Sequence, residues 1–166
     1  FIASNTNRFI SISDGSYNNV ISLYYSTVNN QIVARTWAGG SSIVLLTSTL
    51  QDVTQFHKIA FSYKSGNYKF YIDGVKLQND TNTSVPTGLN QLDFFQGAGG
   101  NNFFAKLKAL AVYKTALTDT ELANLTLYNN HDLFIPYRSR MQMISADQEL
   151  QCTEHDITRF LWNQDY

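Results

Sequence analysis

The amino-acid sequence predicts an all-β, antiparallel domain, a sandwich or a barrel, and three observations carry that expectation. Residues Gln55–Leu77 read as three strands joined by two tight turns. Short strand-like runs recur at roughly 8–12-residue spacing between residues 8 and 114, with no helical stretch between them. Only after these runs does a helix start signal appear, at Thr118.

Each element follows from a local pattern. Ile59, Phe61 and Tyr63 alternate with Lys58, Ala60, Ser62 and Lys64, the period of a strand with one buried face. Ser65-Gly66-Asn67 interrupts, and Tyr68, Phe70 and Ile72 then face one way with Lys69, Tyr71 and Asp73 the other. Asp73-Gly74 is a strong hairpin signal, because a type I′ turn needs positive φ at both central residues. Earlier in the chain, Arg8–Ser13 is a strand ended by Asp14-Gly15-Ser16, and Val20–Tyr25 places Ile21, Leu23 and Tyr25 on one face. After Asn29-Asn30, Gln31–Trp37 sets Ile32 and Ala34 against Val33, Arg35 and Trp37. Ala38-Gly39-Gly40 turns the chain into Ile43–Thr47, a run suited to burial on both faces. Gln78–Gly88, with Pro86, is a polar loop. Leu89–Gln96 and Phe103–Lys114 complete the strands around the small-residue loop Gly97–Asn102.

The helix has its start written out. Thr118 stands as N-cap with Glu121 three residues on, a capping box, and Asp119 puts negative charge at the positive end of the helix dipole. Leu117 and Leu122 occupy the positions of a hydrophobic staple, Leu122 and Leu125 form a short apolar face, and the helix fades near Tyr128-Asn129-Asn130. Residues 1–130 therefore form the domain. Residues 131–166 read as a tail in which Ile157, Phe160 and Leu161 have the spacing of a short amphipathic helix, packed on the domain or on a partner chain.

Composition narrows the function. Aromatics make up 14% of the 166 residues and charged residues 15%, with a formal net charge of −1 and no basic stripe, which argues against nucleic acid as a partner. No apolar run reaches membrane-spanning length. The single cysteine, Cys152, excludes an intrachain disulfide. The chain starts at Phe1 rather than a methionine and reads as a piece of a longer or processed protein.

Two ordered motifs carry a family resemblance. H-K-I-A-F-S-Y followed by K-F-Y-I-D-G-V, within Phe56–Val75, resembles the central hairpin of laminin G-like domains of the concanavalin A-like lectin/glucanase superfamily. Phe104–Leu125 is similar to that family's closing strand, with Phe56 where a tryptophan is usual and Ala105 where a glycine is common. The resemblance covers residues 8 to 128 and implies a two-sheet jelly-roll sandwich of about a dozen strands; one short helix follows the last strand, and the C-terminal tail lies outside the resemblance. Its Asn- and Thr-rich flavour is similar to modules of bacteriophage tail fibres and other virion proteins.

The chemistry favours recognition over catalysis. A glycosidase needs two carboxyl groups flanking the bond, and this superfamily's glucanases present them as E-x-D-x-x-E on a strand. No glutamate precedes Glu121 here, and Glu121 serves the helix cap. His57 opens a strand with no acid beside it, and Cys152 with His155 is a chance spacing rather than a nucleophile pair. The resemblance also implies Ca²⁺ at the sandwich rim, for which Asp14 and Asp93 are the candidate ligands; Asp14 equally suits an Asx-turn before Gly15, and Asp73 serves its own turn. A sugar site pairs an aromatic platform with amides, and Tyr17-Asn18-Asn19, Trp37 beside Gly39-Gly40, and Asn101-Asn102 have that chemistry in loops. Trp37 equally suits a place in the core. The expected partners are a glycan or host surface and other virion or assembly subunits, with homo-oligomerisation through the tail. A purely structural assembly module is the alternative reading.

Overall fold

The computed structural model describes residues 7–26, 30–49 and 55–127. These form eight strands and one helix, in the order Arg8–Ser13 (β1), Val20–Ser26 (β2), Gln31–Ala38 (β3), Ser41–Thr49 (β4), Ile59–Ser62 (β5), Tyr68–Ile72 (β6), Val75–Asp80 (β7), Gln91–Asp93 (β8) and Asp119–Thr126 (α1). They make two antiparallel sheets, β4-β3-β2-β1-β8 and β5-β6-β7. All of them lie in one compact unit, Phe1–Lys106 with Val112–Tyr128.

Alternation decides which side chains meet between the sheets. Ala34, Val44 and Leu46 from the larger sheet and Tyr68, Phe70 and Ile72 from the smaller one form the core, with Leu23, Ile32, Ile59 and Phe61 packed against it. A fully buried side chain of this size stabilises the fold by about 1.5–3 kcal/mol. Tyr68 keeps its ring in that core because its hydroxyl donates to the Ser84 carbonyl at 2.5 Å. Desolvation of the ring raises its pKa above the usual tyrosine value. The predicted burial of Ile43–Thr47 on both faces is not what forms. Val44 and Leu46 are buried while Leu45 faces solvent, so β4 has one buried side.

The β6–β7 hairpin has the expected turn, with Asp73 and Gly74 at φ of 50° and 83°. Asp73 does more than serve that turn. Its carboxylate lies 2.6 Å from His57 Nδ1 and accepts the Lys58 backbone N–H at 2.9 Å, so it ties the run into β5 to the hairpin. His57 therefore does have an acid beside it, brought there by hairpin pairing rather than by sequence.

Helix α1 lies against β5, β6 and β7. Thr118 and Glu121 form the reciprocal capping box. Asp119 pairs with Lys69 and Lys76 of the sheet, and the Gly74 N–H donates to Thr126 Oγ1 at 3.1 Å. The buried helix residues are Leu122 and Thr126, one turn apart, whereas Leu125 is exposed.

Three further expectations change. Leu89–Gln96 pairs only over Gln91–Asp93, because Gln96 turns back through Gly99 and Gly100 to bring Phe103 N–H onto the Phe94 carbonyl. Phe103–Lys114 forms no strand. Phe104, Lys106, Lys108 and Val112 are exposed, as are Ala105, Leu107, Ala109 and Tyr113 from the alternate set, so its period-2 pattern has no face to bury. The dozen strands implied by the resemblance number eight among the described residues. The tail helix and the Cys152/His155 pair lie outside the described residues.

Candidate functional site

The ends of β1, β2, β3, β4 and β8 bring several loops to one end of the larger sheet. Pairing of Ser13 with Val20 and with Gln91 sets the Asp14–Asn19 loop beside the run into β8. Pairing of Val20 with Trp37 sets it beside the Gly39-Gly40 turn.

Asp14 and Asn19 hold this end together. Asp14 Oδ1 accepts Ser16 N–H at 2.9 Å and the Ser16 hydroxyl at 2.6 Å, an Asx-type turn, and Oδ2 accepts Asn19 Nδ2 at 2.9 Å. These donors, Ser16 first and then Asn19, hold the Asp14 carboxyl below its ordinary pKa. Asn19 Oδ1 in turn receives the N–H groups of Gly39 (3.4 Å) and Thr87 (3.3 Å), so one amide braces three loops. The Asn18 carbonyl accepts Gly40 N–H at 3.0 Å.

The Gly97–Asn102 loop folds over β1. Ser11, fully buried, donates to the Phe95 carbonyl and accepts from Gly97 N–H. Tyr17 reaches this loop: its hydroxyl donates to the Gly99 carbonyl at 2.5 Å. Gly97 sits so close that a Cβ there would come 2.8 Å from the Tyr17 ring, at a φ of 48°. Half of the Tyr17 surface remains open to solvent.

The six predicted ligand-binding residues therefore divide. Tyr17 meets the Gly97–Asn102 loop, Asn18 meets the Gly39-Gly40 turn, and Asn19 serves as the brace, with Tyr17 and Asn18 exposed. Asn101 is tied down, its side chain donating to Gln96 Oε1 and its carbonyl accepting Phe9 N–H, while Asn102 is exposed. Trp37 is not in the core. It lies on the opposite face of the sheet, under the Arg35 guanidinium at 4.0 Å from the ring centroid. Sequence reasoning missed Thr87 and Gly88, which close the site beside Asp14; the signal was the Pro86-Thr87-Gly88 run.

Asp93, on β8 opposite Ser11, has a buried Oδ2 without a hydrogen-bond partner. Ca²⁺ takes six to eight oxygens. Asp14 already carries three hydrogen bonds within its own loop, and among the described residues no group of three His, Cys, Asp or Glu side chains gathers. A Ca²⁺ ion at Asp14 or Asp93 would therefore draw most of its oxygens from backbone carbonyls and water.

The fold and the site define a two-sheet antiparallel sandwich domain whose one end carries a shallow surface of amides and a tyrosine ring. The chain belongs to the concanavalin A-like lectin/glucanases superfamily, whose laminin G family model matches residues 2–123. No curated protein matches it. Among solved structures it is similar to the carbohydrate-binding module CBM66 from Bacillus subtilis, at 13% identity over 49% of this chain and 52% of that one, TM-score 0.37. It is also similar to an S-layer domain-containing protein from Clostridium thermocellum, at 13% identity over 76% of this chain and 65% of that one, TM-score 0.39. The chain thus spans about half the length of the first.

Proposed function

We propose that this domain is a non-catalytic glycan-binding module of an extracellular or virion surface protein, a phage tail fibre or capsid appendage being the setting that its Asn/Thr-rich sequence favours. The observation that carries the reading is the convergence at one sheet end of an exposed tyrosine ring with the exposed side chain of Asn18, on loops braced by Asn19. Such a surface offers stacking and hydrogen-bonding groups to a polyhydroxylated ligand without large rearrangement. The non-catalytic part is supported by the structural engagement of four carboxylates: Asp14 with Ser16 and Asn19, Asp73 with His57 and Lys58, Asp119 with two lysines and Glu121 with Thr118.

A glycan array probed with the domain in Ca²⁺ and in EDTA tests this. Binding that is lost in Asn18→Ala/Asn102→Ala supports it, and no binding in either buffer refutes it. Release of reducing sugar from a bound glycan would overturn the non-catalytic assignment. The second reading, an assembly module, is favoured by the exposed Leu92, Phe94 and Phe104 around the short edge strand β8. It predicts an oligomer by light scattering that Phe94→Ser/Phe104→Ser dissociates. Removal of residues 131–166 tests separately whether the tail contributes.

A further inference from the structure

The face of the larger sheet turned away from the core carries a fixed cation that no acid among the described residues pairs with. Alternation puts Arg35, Trp37 and Leu45 on that face, opposite the core residues Ala34, Val44 and Leu46. The Arg35 guanidinium stacks 4.0 Å from the Trp37 centroid, and its Nε donates to Ser42 Oγ at 3.1 Å. Its cross-strand neighbour Leu45 is 53% exposed. The ion pairs of the described residues use His57, Lys69 and Lys76, not Arg35, so among the described residues its guanidinium pairs with no carboxylate.

Ser42 reaches Arg35 because of a bulge. The register shifts between Thr36, opposite Val44, and Trp37, opposite Ser42, leaving Ile43 as the extra residue. In an unbroken ladder Ile43 would face Trp37 and Ser42 would fall on the core side. Bulges re-aim side chains in this way. An exposed arginine ordinarily samples many rotamers. This one is held by an aromatic base and a hydroxyl, which removes much of the ordering cost of binding an anion.

The site joins the rim. Trp37 pairs with Val20, the residue after Asn19, and β3 leads directly into the Gly39-Gly40 turn. Arg35 to Gly39 spans roughly 13 Å of extended chain, the reach of an oligosaccharide rather than of one sugar ring. The planar guanidinium fork matches a carboxylate in two parallel hydrogen bonds. A densely sulfated polymer would need a basic stripe. Lys69 and Lys76, on the smaller sheet, are committed to Asp119. We infer that Arg35, oriented by Trp37 and Ser42, is the subsite for the carboxylate of an acidic sugar, so that the ligand is a uronate-bearing oligosaccharide. This rests on the glycan-binding reading.

The test is calorimetric titration of the full chain with short oligogalacturonate and oligomannuronate, and with their neutral methyl esters. Trp162→Phe leaves Trp37 as the single tryptophan and gives a second readout, its fluorescence. The acids bind and the esters bind on the order of tenfold to a hundredfold more weakly, the range of a charge-assisted hydrogen bond. Arg35→Lys and Arg35→Ala give a similar loss, Ser42→Ala a smaller one, and Trp37 emission changes with the acids; unchanged circular dichroism in Arg35→Lys and Ser42→Ala excludes misfolding. Equal binding of acids and esters, or wild-type affinity in the Arg35 variants, overturns the carboxylate subsite and leaves the glycan reading standing. Absence of binding to these probes and to every glycan of the array overturns both.

Discussion

Asn19 is the residue whose removal most directly tests the architecture of the rim. Its side chain donates to Asp14 Oδ2 at 2.9 Å and accepts from Gly39 N–H at 3.4 Å and Thr87 N–H at 3.3 Å. A net intramolecular hydrogen bond contributes about 0.5–1.5 kcal/mol, and the two long ones fall at the weak end. Asn19→Ala should therefore destabilise the domain by about 1–3 kcal/mol, a fall in Tm of about 3–10 °C for a chain of this size. The companion variant Asn19→Asp separates the three contacts. It keeps the acceptor for Gly39 and Thr87 but sets a second carboxylate against Asp14 Oδ2 in place of a donor. At neutral pH it should melt below Asn19→Ala despite being the more conservative change. Like charges raise the folded-state pKa of the pair above the unfolded values, so the penalty is present at high pH and disappears as pH falls below about 4. Thermal melts of the three proteins between pH 3.5 and pH 7.5 decide the matter. If Asn19→Asp is as stable as wild type at pH 7, or if its deficit does not shrink on acidification, the Asp14–Asn19 contact is not the brace described here.

Three other outcomes are expected. Phe70→Ala, at a fully buried core position, should cost about 3–5 kcal/mol, whereas Leu45→Ala, on the outer face of the larger sheet between the core residues Val44 and Leu46, should stay within about 0.5 kcal/mol by urea unfolding; equal effects would contradict the assigned faces. Thr126→Val keeps the shape but leaves Gly74 N–H without its acceptor and removes the hydroxyl's extra bond to the Leu122 carbonyl, and should cost about 1–3 kcal/mol, with hydrogen exchange rising at Gly74. The Asp119 carboxyl is held down to about 2 by Lys69 and then Lys76. A depressed folded pKa contributes stability above the unfolded value near 3.8 that is lost as pH falls through about 2, so the Tm difference between wild type and Asp119→Asn should be present at pH 5 and vanish by pH 2.

How much of this fold was legible in the sequence depends on how local each signal was. Asp73-Gly74, the Tyr68/Phe70/Ile72 alternation and the Thr118–Glu121 box each act within a few residues, and each forms as read. Neighbour relations that skip along the chain were not legible. Nothing near Gln91 says that it pairs with Ser13, and nothing near Asp73 says that His57 will lie against it. Phe103–Lys114 shows the converse failure. Its alternation is as regular as that of Gln31–Trp37, but the latter lies between two strands, whereas the former joins neither sheet among the described residues. Strand propensity measures fit to a half-buried pleated surface, and only tertiary structure supplies that surface.

The same distinction governs the site. Tyr17, Asn18 and Asn102 are readable as loop residues with sugar-binding chemistry, because turn residues and exposed amides announce themselves. Asn19 looked identical to Asn18 in sequence, yet it is spent inside the scaffold while its neighbour faces solvent. Which of two adjacent amides braces and which is free is set by where Gly39 and Thr87 arrive, 20 and 68 residues away. Arg35 is the sharper case. Its place on the outer face follows from period 2 alone, but its orientation needs Ser42 on that same face, and strict alternation puts Ser42 on the other. Only the extra residue at Ile43 reverses this. A bulge has no side-chain signature of its own, so a site built on one stays invisible until the register is known.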